Sequence, residues 1–492
     1  MSLRLDENFT ALLSQIRNLL PSEKVFLVGG AVRDLLLGKP VHDLDFVLAK
    51  DSVRLAKAVK NYFRGVWYTL DDERQTARVI LQQGSNEELV LDFTSFIGDT
   101  LEEDLSQRDY TINAMAIDLD NPNEIIDPLG GRIDLLEKRL KPGSPNSLRS
   151  DPLRVLRGVR MERMYELEAS SETIEKMRVA TKGLGQVSGE RIRDELLKCL
   201  NLPDREKTFC LLDRHGIYSY LVLRANGLDA GSGFHDPISN SYLNLIESEC
   251  VHTHEHLITD DFIEKRSEII KNFDSILVGI QNNNLPKQFE AVSQQVKDPE
   301  SFIKNLKETI NEELQGSRTR TDSILLTVFL ARSFDDLDFA GNLTSFLLLG
   351  QKEKKAIEKI CSGYRNITTL SLLNELTHLE IYRLFRDSGT FTIESALLHL
   401  CQEQVENQKK SKVALKVLES WFEDQESVID PPRLIDGDQL QKELGISPGP
   451  RMGEYLESIR EAQVTGEVER YQDAINLVKR LIEDRSRNEN KG

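Results

Sequence analysis

Cysteine is scarce and unorganised in this chain: Cys199, Cys210, Cys250, Cys361 and Cys401 are odd in number, and no two stand in a C-x-x-C pair. That excludes a structural zinc knuckle and a disulfide framework, and it fits a reducing cytoplasm. Long apolar runs are missing too. No window reaches the ~18 apolar residues of a membrane span, and the opening MSLRLDENF has early acids and no apolar signal core, so neither a membrane protein nor an exported one is expected. Basic charge is in deficit, with 63 Lys and Arg against 81 Asp and Glu for a net charge of −18. As a sum, that deficit opposes an RNA-binding surface, which must neutralise phosphates. The deficit is uneven, however. Between Gly131 and Lys198, 15 basic residues outnumber 11 acidic ones, and Arg149, Arg154, Arg157, Arg160 and Arg163 fall close together. Internal repeats are absent, which excludes a solenoid. What is present is 492 residues, 39% hydrophobic and 29% charged, enough for roughly three or four packed units.

The first 140 residues mix two periods. An amphipathic pattern from Asp6 to Leu20 predicts a helix, and the apolar run Val25–Val28, stopped by Gly29 and Gly30, predicts a buried strand. Ala31–Leu37 reads as a helix ended by Gly38 and Pro40, and His42–Leu48 alternates as a strand. Further strands are expected at Val66–Leu70, Arg78–Gln82 and Leu89–Phe93, with a helix at Val53–Tyr62. After Pro142-Gly143-Ser144-Pro145 the period is helical almost throughout, with helices at Asp151–Glu166 and Ser188–Leu200 and a break at Pro431-Pro432. The expected fold is therefore an α+β head, a small mixed β-sheet with helices over residues 1–140, followed by a mostly α-helical neck (141–200), body (201–426) and tail (427–492).

Two patterns in the head carry chemistry. Gly29 and Gly30, between a strand and a helix, let backbone N–H groups approach a phosphate at a helix N-terminus, and Arg33 stands one turn further on. Asp43 and Asp45, two apart on a strand, project from one face, close enough to share hard divalent cations, which points to Mg²⁺. Such a pair would activate an attacking hydroxyl and hold a triphosphate. In the neck, Asp151 and Pro152 open a helix on which Arg154, Arg157 and Arg160 share a face; Asp151 with Arg154 offers acceptors and donors in one plane, as reading a base edge requires.

Val28-Gly29-Gly30-Ala31-Val32-Arg33-Asp34 followed by Asp43-Leu44-Asp45, then Gln107-Arg108-Asp109-Tyr110-Thr111-Ile112-Asn113-Ala114, resembles the signatures of the class II tRNA nucleotidyltransferase and bacterial poly(A) polymerase family, within the DNA polymerase β-like superfamily. The resemblance implies that Asp43 and Asp45 are catalytic metal ligands and that Arg108 and Asp109 contact the sugar and phosphates of the incoming nucleotide, with Asn113 in support. It also implies that Asp151 and Arg154 pair with the base of CTP or ATP, while Arg157 and Arg160 bind phosphates. Asp92 is the candidate third carboxylate of the superfamily. Gln107 stands where the family usually has arginine, and Ser150 where it has an acid. Ser188-Gly189-Glu190-Arg191-Ile192-Arg193 resembles the last neck motif, where a Glu190–Arg193 pair is expected to brace the templating helix. Leu444-Gly445-Ile446-Ser447-Pro448-Gly449-Pro450-Arg451, with Gly466 and Ala474, resembles the family's tail, implying a grip on the acceptor and TΨC arms of tRNA.

His235-Asp236 and His252-Thr253-His254-Glu255-His256 invite comparison with HD phosphohydrolases, but no second His-Asp follows; the body is read as a degenerate relative of that fold at most. One departure bears on the product. Many CCA-adding relatives carry a long flexible loop between the strand matching Leu89–Phe96 and the acidic helix matching Leu101–Leu105, and the loop is associated with switching from C to A addition. Here only Ile97-Gly98-Asp99-Thr100 intervenes, as in CC-adding relatives. The expected activity is template-independent addition of CMP, AMP or both to the tRNA 3′ end, releasing pyrophosphate, in the cytoplasm. Poly(A) polymerase and a non-catalytic RNA-binding protein are the alternatives, and the oligomeric state is left open.

Overall fold

The structure is a computed structural model that describes residues 5–83, 87–228, 258–284, 289, 292, 296–373, 376–407 and 412–489. It divides into two compact units, residues 1–203 with 210–220, and residues 204–209 with 221–492. The expected His235-Asp236 pair and the 252–256 histidine cluster lie outside the described residues.

The first unit is built on one sheet. Helix α1 (Glu7–Asn18), capped by the Asp6 carboxylate accepting from Phe9 N at 2.7 Å, precedes β1 (Phe26–Val28), α2 (Gly30–Leu36) and β2 (Asp43–Leu48). Helix α3 (Ser52–Phe63) leads to β3 (Val66–Asp71), β4 (Thr76–Gln83) and β5 (Glu87–Ser95). Helix α4 (Leu101–Ser106), β6 (Ala116–Asp118) and β7 (Ile125–Ile126) complete the sheet in the order β3-β4-β5-β2-β1-β6-β7. All pairings are antiparallel except β2 with β5. Side-chain alternation then separates two faces. Leu44, Phe46 and Leu48 turn inward, Phe46 stacking on Phe93 at 5.1 Å, and α3 closes that side through Leu55, Ala56 and Val59. On the opposite face Val47 is plugged by Leu101 and Leu105 of α4, whereas Asp45 and Asp43 project beyond the plug into solvent.

The neck follows within the same unit and includes α5 (Ser147–Ser150), α6 (Arg154–Tyr165) and, after a helix at Ser171–Thr181, α7 (Gly189–Leu200). The structure corrects one expectation here. Asp151 does not cap a continuous helix; it lies in a bend between α5 and α6 with extended backbone, its Oδ1 accepting from Leu153 N at 3.3 Å. Among the described residues, the second unit is helical apart from a two-stranded hairpin. Its helix Arg320–Leu330 is buried along its whole length and carries Arg320, whose guanidinium forks onto buried Glu394 at 2.6 and 2.7 Å. Residues 434–482 enclose an apolar cluster of their own around Leu440, Ile459, Ala474 and Val478. No described helix is long and apolar enough to cross a membrane.

Candidate active site

Antiparallel and parallel register place Val28, Asp45, Asp92 and Arg78 side by side across β1, β2, β5 and β4. The strand β1 therefore ends level with Asp45, and the turn into α2 falls beside its carboxylate. Gly29 makes that turn at φ +77°, which L side chains rarely adopt, and a Cβ there would stand 3.0 Å from Arg108 Nη1 and 3.4 Å from Asp45 Oδ2. The glycine is thus required twice, for the turn and for the close approach of cation and carboxylate.

Asp45 is accessible to solvent yet closely surrounded. Desolvation is the largest influence on its carboxyl, Asp92 and Asp43 add like-charge repulsion, and Arg108 and Arg157 oppose; the net effect holds its pKa above the ordinary carboxylate range. Asp92, the candidate third carboxylate, is beside Asp45 but already engaged: both its oxygens accept from Arg78, Oδ1 from Nε and Oδ2 from Nη2, each at 2.8 Å. Among the described residues no group of three or more His, Cys, Asp or Glu side chains is arranged to hold a metal ion. The exposed carboxylates of Asp43 and Asp45 are a donor set that fits Mg²⁺, which takes one or two carboxylates and keeps waters and phosphate oxygens for the rest.

Arg108 donates to Asp104 Oδ2 through Nε and Nη2 at 3.2 and 3.0 Å, leaving Nη1 toward Gly29. Other residues expected at phosphates are engaged in the interior. Arg33 is 6% exposed; it forks onto Asp34 at 3.0 and 2.9 Å, donates to Asn113 Oδ1 and lies 4.2 Å over the ring of Tyr165. Asn113 in turn donates to Asp109 Oδ1 at 3.0 Å. Asp109, 4% exposed, also accepts from Tyr110 N, and Arg157 Nη2 stands 3.0 Å from its Oδ2 as a charge contact without hydrogen-bond alignment. Burial alone would raise the Asp109 pKa, but Arg157, Asn113 and the Tyr110 amide outweigh it and hold it low. Arg160 donates Nε to Glu195 on α7 at 2.6 Å. Arg33, Asn113, Asp109 and Arg157 thus form one polar chain from the phosphate-side helix α2 to the neck helix α6.

A cavity of about 540 Å³ is lined by Gln107, Ser150, Asp151, Arg154 and Arg191 together with Arg74 and Ile97. Arg154 is held by two backbone carbonyls, Gln107 O at 2.8 Å and Ser147 O at 2.9 Å. Gln107 therefore serves the site through its main chain, whatever its side chain. Ser150 Oγ turns back to Ser147 O at 2.9 Å and gives Asp151 no support. That support comes from Arg191, whose Nη2 donates to Asp151 Oδ2 at 2.9 Å. Arg191 sits in the motif read as a structural brace, but the expected pairing differs: Arg193 donates to Asp194 at 2.8 Å, and α7 is joined to α6 through Glu195 and Arg160. The four-residue link Ile97–Thr100 is tied down at both ends, Ile97 N donating to Asp104 Oδ1 at 3.0 Å and Asp99 N to Glu103 Oε2 at 2.7 Å.

A profile described as the poly A polymerase head domain matches residues 25–141, one described as the probable RNA and SrmB-binding site of polymerase A matches 167–226, and one described as tRNA nucleotidyltransferase domain 2, putative, matches 325–478. A CC-adding tRNA nucleotidyltransferase of Geobacter sulfurreducens is 26% identical over 90% of this chain and 88% of its own length. An A-adding tRNA nucleotidyltransferase of Deinococcus radiodurans is 28% identical over 93% of this chain and 95% of its own. Among solved structures, the Thermotoga maritima CCA-adding enzyme complexed with tRNA is similar in fold, with a TM-score of 0.62 at 21% identity over 98% of this chain and 99% of that one. A CCA-adding enzyme complexed with CTP has a TM-score of 0.66 at 20% identity over 98% and 99%.

Proposed function

This chain belongs to the tRNA nucleotidyltransferase and poly(A) polymerase family, and we propose that it is an enzyme extending the 3′ end of tRNA with CMP, AMP or both, from CTP and ATP, with release of pyrophosphate. The observation that carries the reading is the placement, in one compact unit, of an open carboxylate pair, a glycine turn shared with Arg108, and a cavity walled by Asp151 and Arg154.

Each residue then has a task. Asp151 and Arg154 meet the base edge with acceptors and donors fixed in place by Arg191 and the two carbonyls, so no nucleic-acid template is needed. Gly29, Gly30 and Arg108 receive the triphosphate at the head of α2. Asp43 and Asp45 face the attacking 3′ hydroxyl and the α-phosphate. The family uses a divalent metal ion; we assign Mg²⁺ to the Asp43–Asp45 pair, where it would stabilise both the attacking and the leaving oxygen. Arg33, Asn113, Asp109, Arg157 and Arg160 act one layer back, keeping α2 and α6 in fixed relation so that base and phosphate sites stay the right distance apart. The tail and body are assigned to the acceptor and TΨC arms of tRNA, and the setting to the cytoplasm.

The tied link at Ile97–Thr100 favours CC as the product, while the relatives include both a CC-adding and an A-adding enzyme. Extension of three tRNA transcripts, ending at the discriminator base, at C74 and at C75, with CTP, ATP and both, resolves this at single-nucleotide level. A stop after two C residues is expected. Full CCA shows that the link does not limit the product, growth only from C75 marks an A-adding enzyme, long A tails mark a poly(A) polymerase, and no extension of any RNA overturns the reading.

A further inference from the structure

The row containing Asp45 does not end at Arg78. Register carries it to the edge strand, where Tyr68 pairs with Arg78, so Asp45, Asp92, Arg78 and Tyr68 lie side by side on one face of β2, β5, β4 and β3. Tyr68 is 42% exposed, and its strand neighbours on that face, Val66 and Leu70, are 65% and 47% exposed. Such a stripe on an edge strand is unusual without a binding role, because it invites aggregation. Arg78 pairs with Tyr68 in register, and its Nε and Nη2 are taken by Asp92. Tyr68 stands three strand spacings from Asp45, about 14 Å at ~4.8 Å each.

Gly29 and Arg108 flank Asp45 on its β1 side, and on the opposite, β5-β4-β3 side the row continues through Asp92 and Arg78 to Tyr68. A flat aromatic beside a guanidinium, continuous with the catalytic row, is suited to a single-stranded RNA end. We propose that this shelf seats the RNA acceptor: Tyr68 stacks on an unpaired base next to the 3′-terminal nucleotide, and the guanidinium of Arg78, fixed by Asp92, meets the adjoining phosphate. The proposal rests on the nucleotidyltransferase reading and assigns a primer-positioning role to residues outside its motifs.

The test uses the full chain and a tRNA transcript ending at C74, with KM for RNA, KM for CTP and kcat measured for wild type, Tyr68→Ala, Tyr68→Phe and Tyr68→Trp. Tyr68→Ala is expected to raise the RNA KM about ten-fold, as loss of one stacked base does, with KM for CTP unchanged and the Phe and Trp variants close to wild type. A transcript abasic at the stacked position should cost wild type a similar factor and Tyr68→Ala nothing more. An unchanged RNA KM in Tyr68→Ala, or losses that multiply, overturns the shelf. If wild type extends no RNA, the functional reading has failed instead, and equilibrium binding of a short single-stranded RNA to wild type and Tyr68→Ala still decides: equal affinities overturn the shelf, and weaker binding by Tyr68→Ala supports it.

Discussion

Arg191 holds the Asp151 carboxylate from forty positions downstream, its Nη2 2.9 Å from Oδ2, at the point where Ser150 offers no help. The contact is one charge-assisted hydrogen bond, while Asp151 Oδ1 accepts from Leu153 N. Replacing Arg191 with Met should therefore lower kcat/KM for CTP by about 10- to 100-fold, the cost of freeing one charge-assisted contact, and should reduce the preference for CTP over UTP. Arg191→Lys should restore part of the rate and little of the preference. Single-nucleotide incorporation with each of the four NTPs measures both.

Asp45 is ionised at a cost to the fold. Its pKa is raised in the folded state, so the group adds most stability below its unfolded pKa, and that contribution is lost as pH rises through the folded value. Asp45→Asn should consequently melt at the same temperature or higher at neutral pH, while nucleotidyl transfer falls by about three orders of magnitude or more. Thermal melting with and without Mg²⁺ checks the cause. Wild type should gain stability from the ion, and Asp45→Asn should gain little.

Asn113 links two buried charges, accepting from Arg33 and donating to Asp109. Asn113→Ala leaves both short of a partner and should destabilise the first unit by roughly 1–3 kcal/mol. Because the same link sets the spacing of α2 and α6, KM for CTP should rise as well. Denaturation followed together with nucleotide binding tests whether the two effects appear in one variant.

Gly158 sits where a Cβ would come within 2.1 Å of the Tyr110 hydroxyl, which donates to Arg154 O at 2.8 Å. Gly158→Ala must displace a fully buried ring and should cost about 1–3 kcal/mol. Through the Arg154 carbonyl it should also disturb base selection, whereas Gly130→Ala, strained by its φ of +77° but with nothing within 4 Å of the added Cβ, should cost stability and leave selection intact. Misincorporation frequencies of the two variants separate these outcomes.

His399, buried beside Tyr364 and within 3.3 Å of Ser371 Oγ, has its pKa pushed down to about 4 by burial. The unfolded chain takes up the proton near pH 6.5 and the folded one only near 4, so stability contributed above pH 6.5 is lost as pH falls between those values. The loss approaches roughly 3 kcal/mol at one pKa unit per 1.36 kcal/mol. Urea midpoints at pH 7.5 and 4.5 should differ less in His399→Gln than in wild type.

Local patterns were legible in the sequence, and partnerships between distant segments were not. The strand alternation around Asp43 and Asp45 and the turn at Gly29 depend on residues within a few positions, and the structure exposes both carboxylates on one strand with the buried Gly29 turn beside Asp45. Arg33 and Arg160 looked equally suited to phosphate, because nothing nearby in the sequence announces Asn113, Tyr165 or Glu195 as their partners. Arg191 and Arg78 went unnoticed for the same reason: each answers to a carboxylate supplied by another element. A signal existed for Arg78, since its strand puts a charge at a position otherwise flanked by apolar residues.

The link Ile97–Thr100 has its backbone amides spent on Asp104 and Glu103, and Gly98, at φ +97°, packs so close to Glu103 that a methyl group there would stand 2.5 Å from its Oε2. If addition stops at CC, a wall fastened in that way is not the part that changes between one round and the next. The tally of nucleotides added then falls to the lengthening RNA, whose own end has to fit the space left for it.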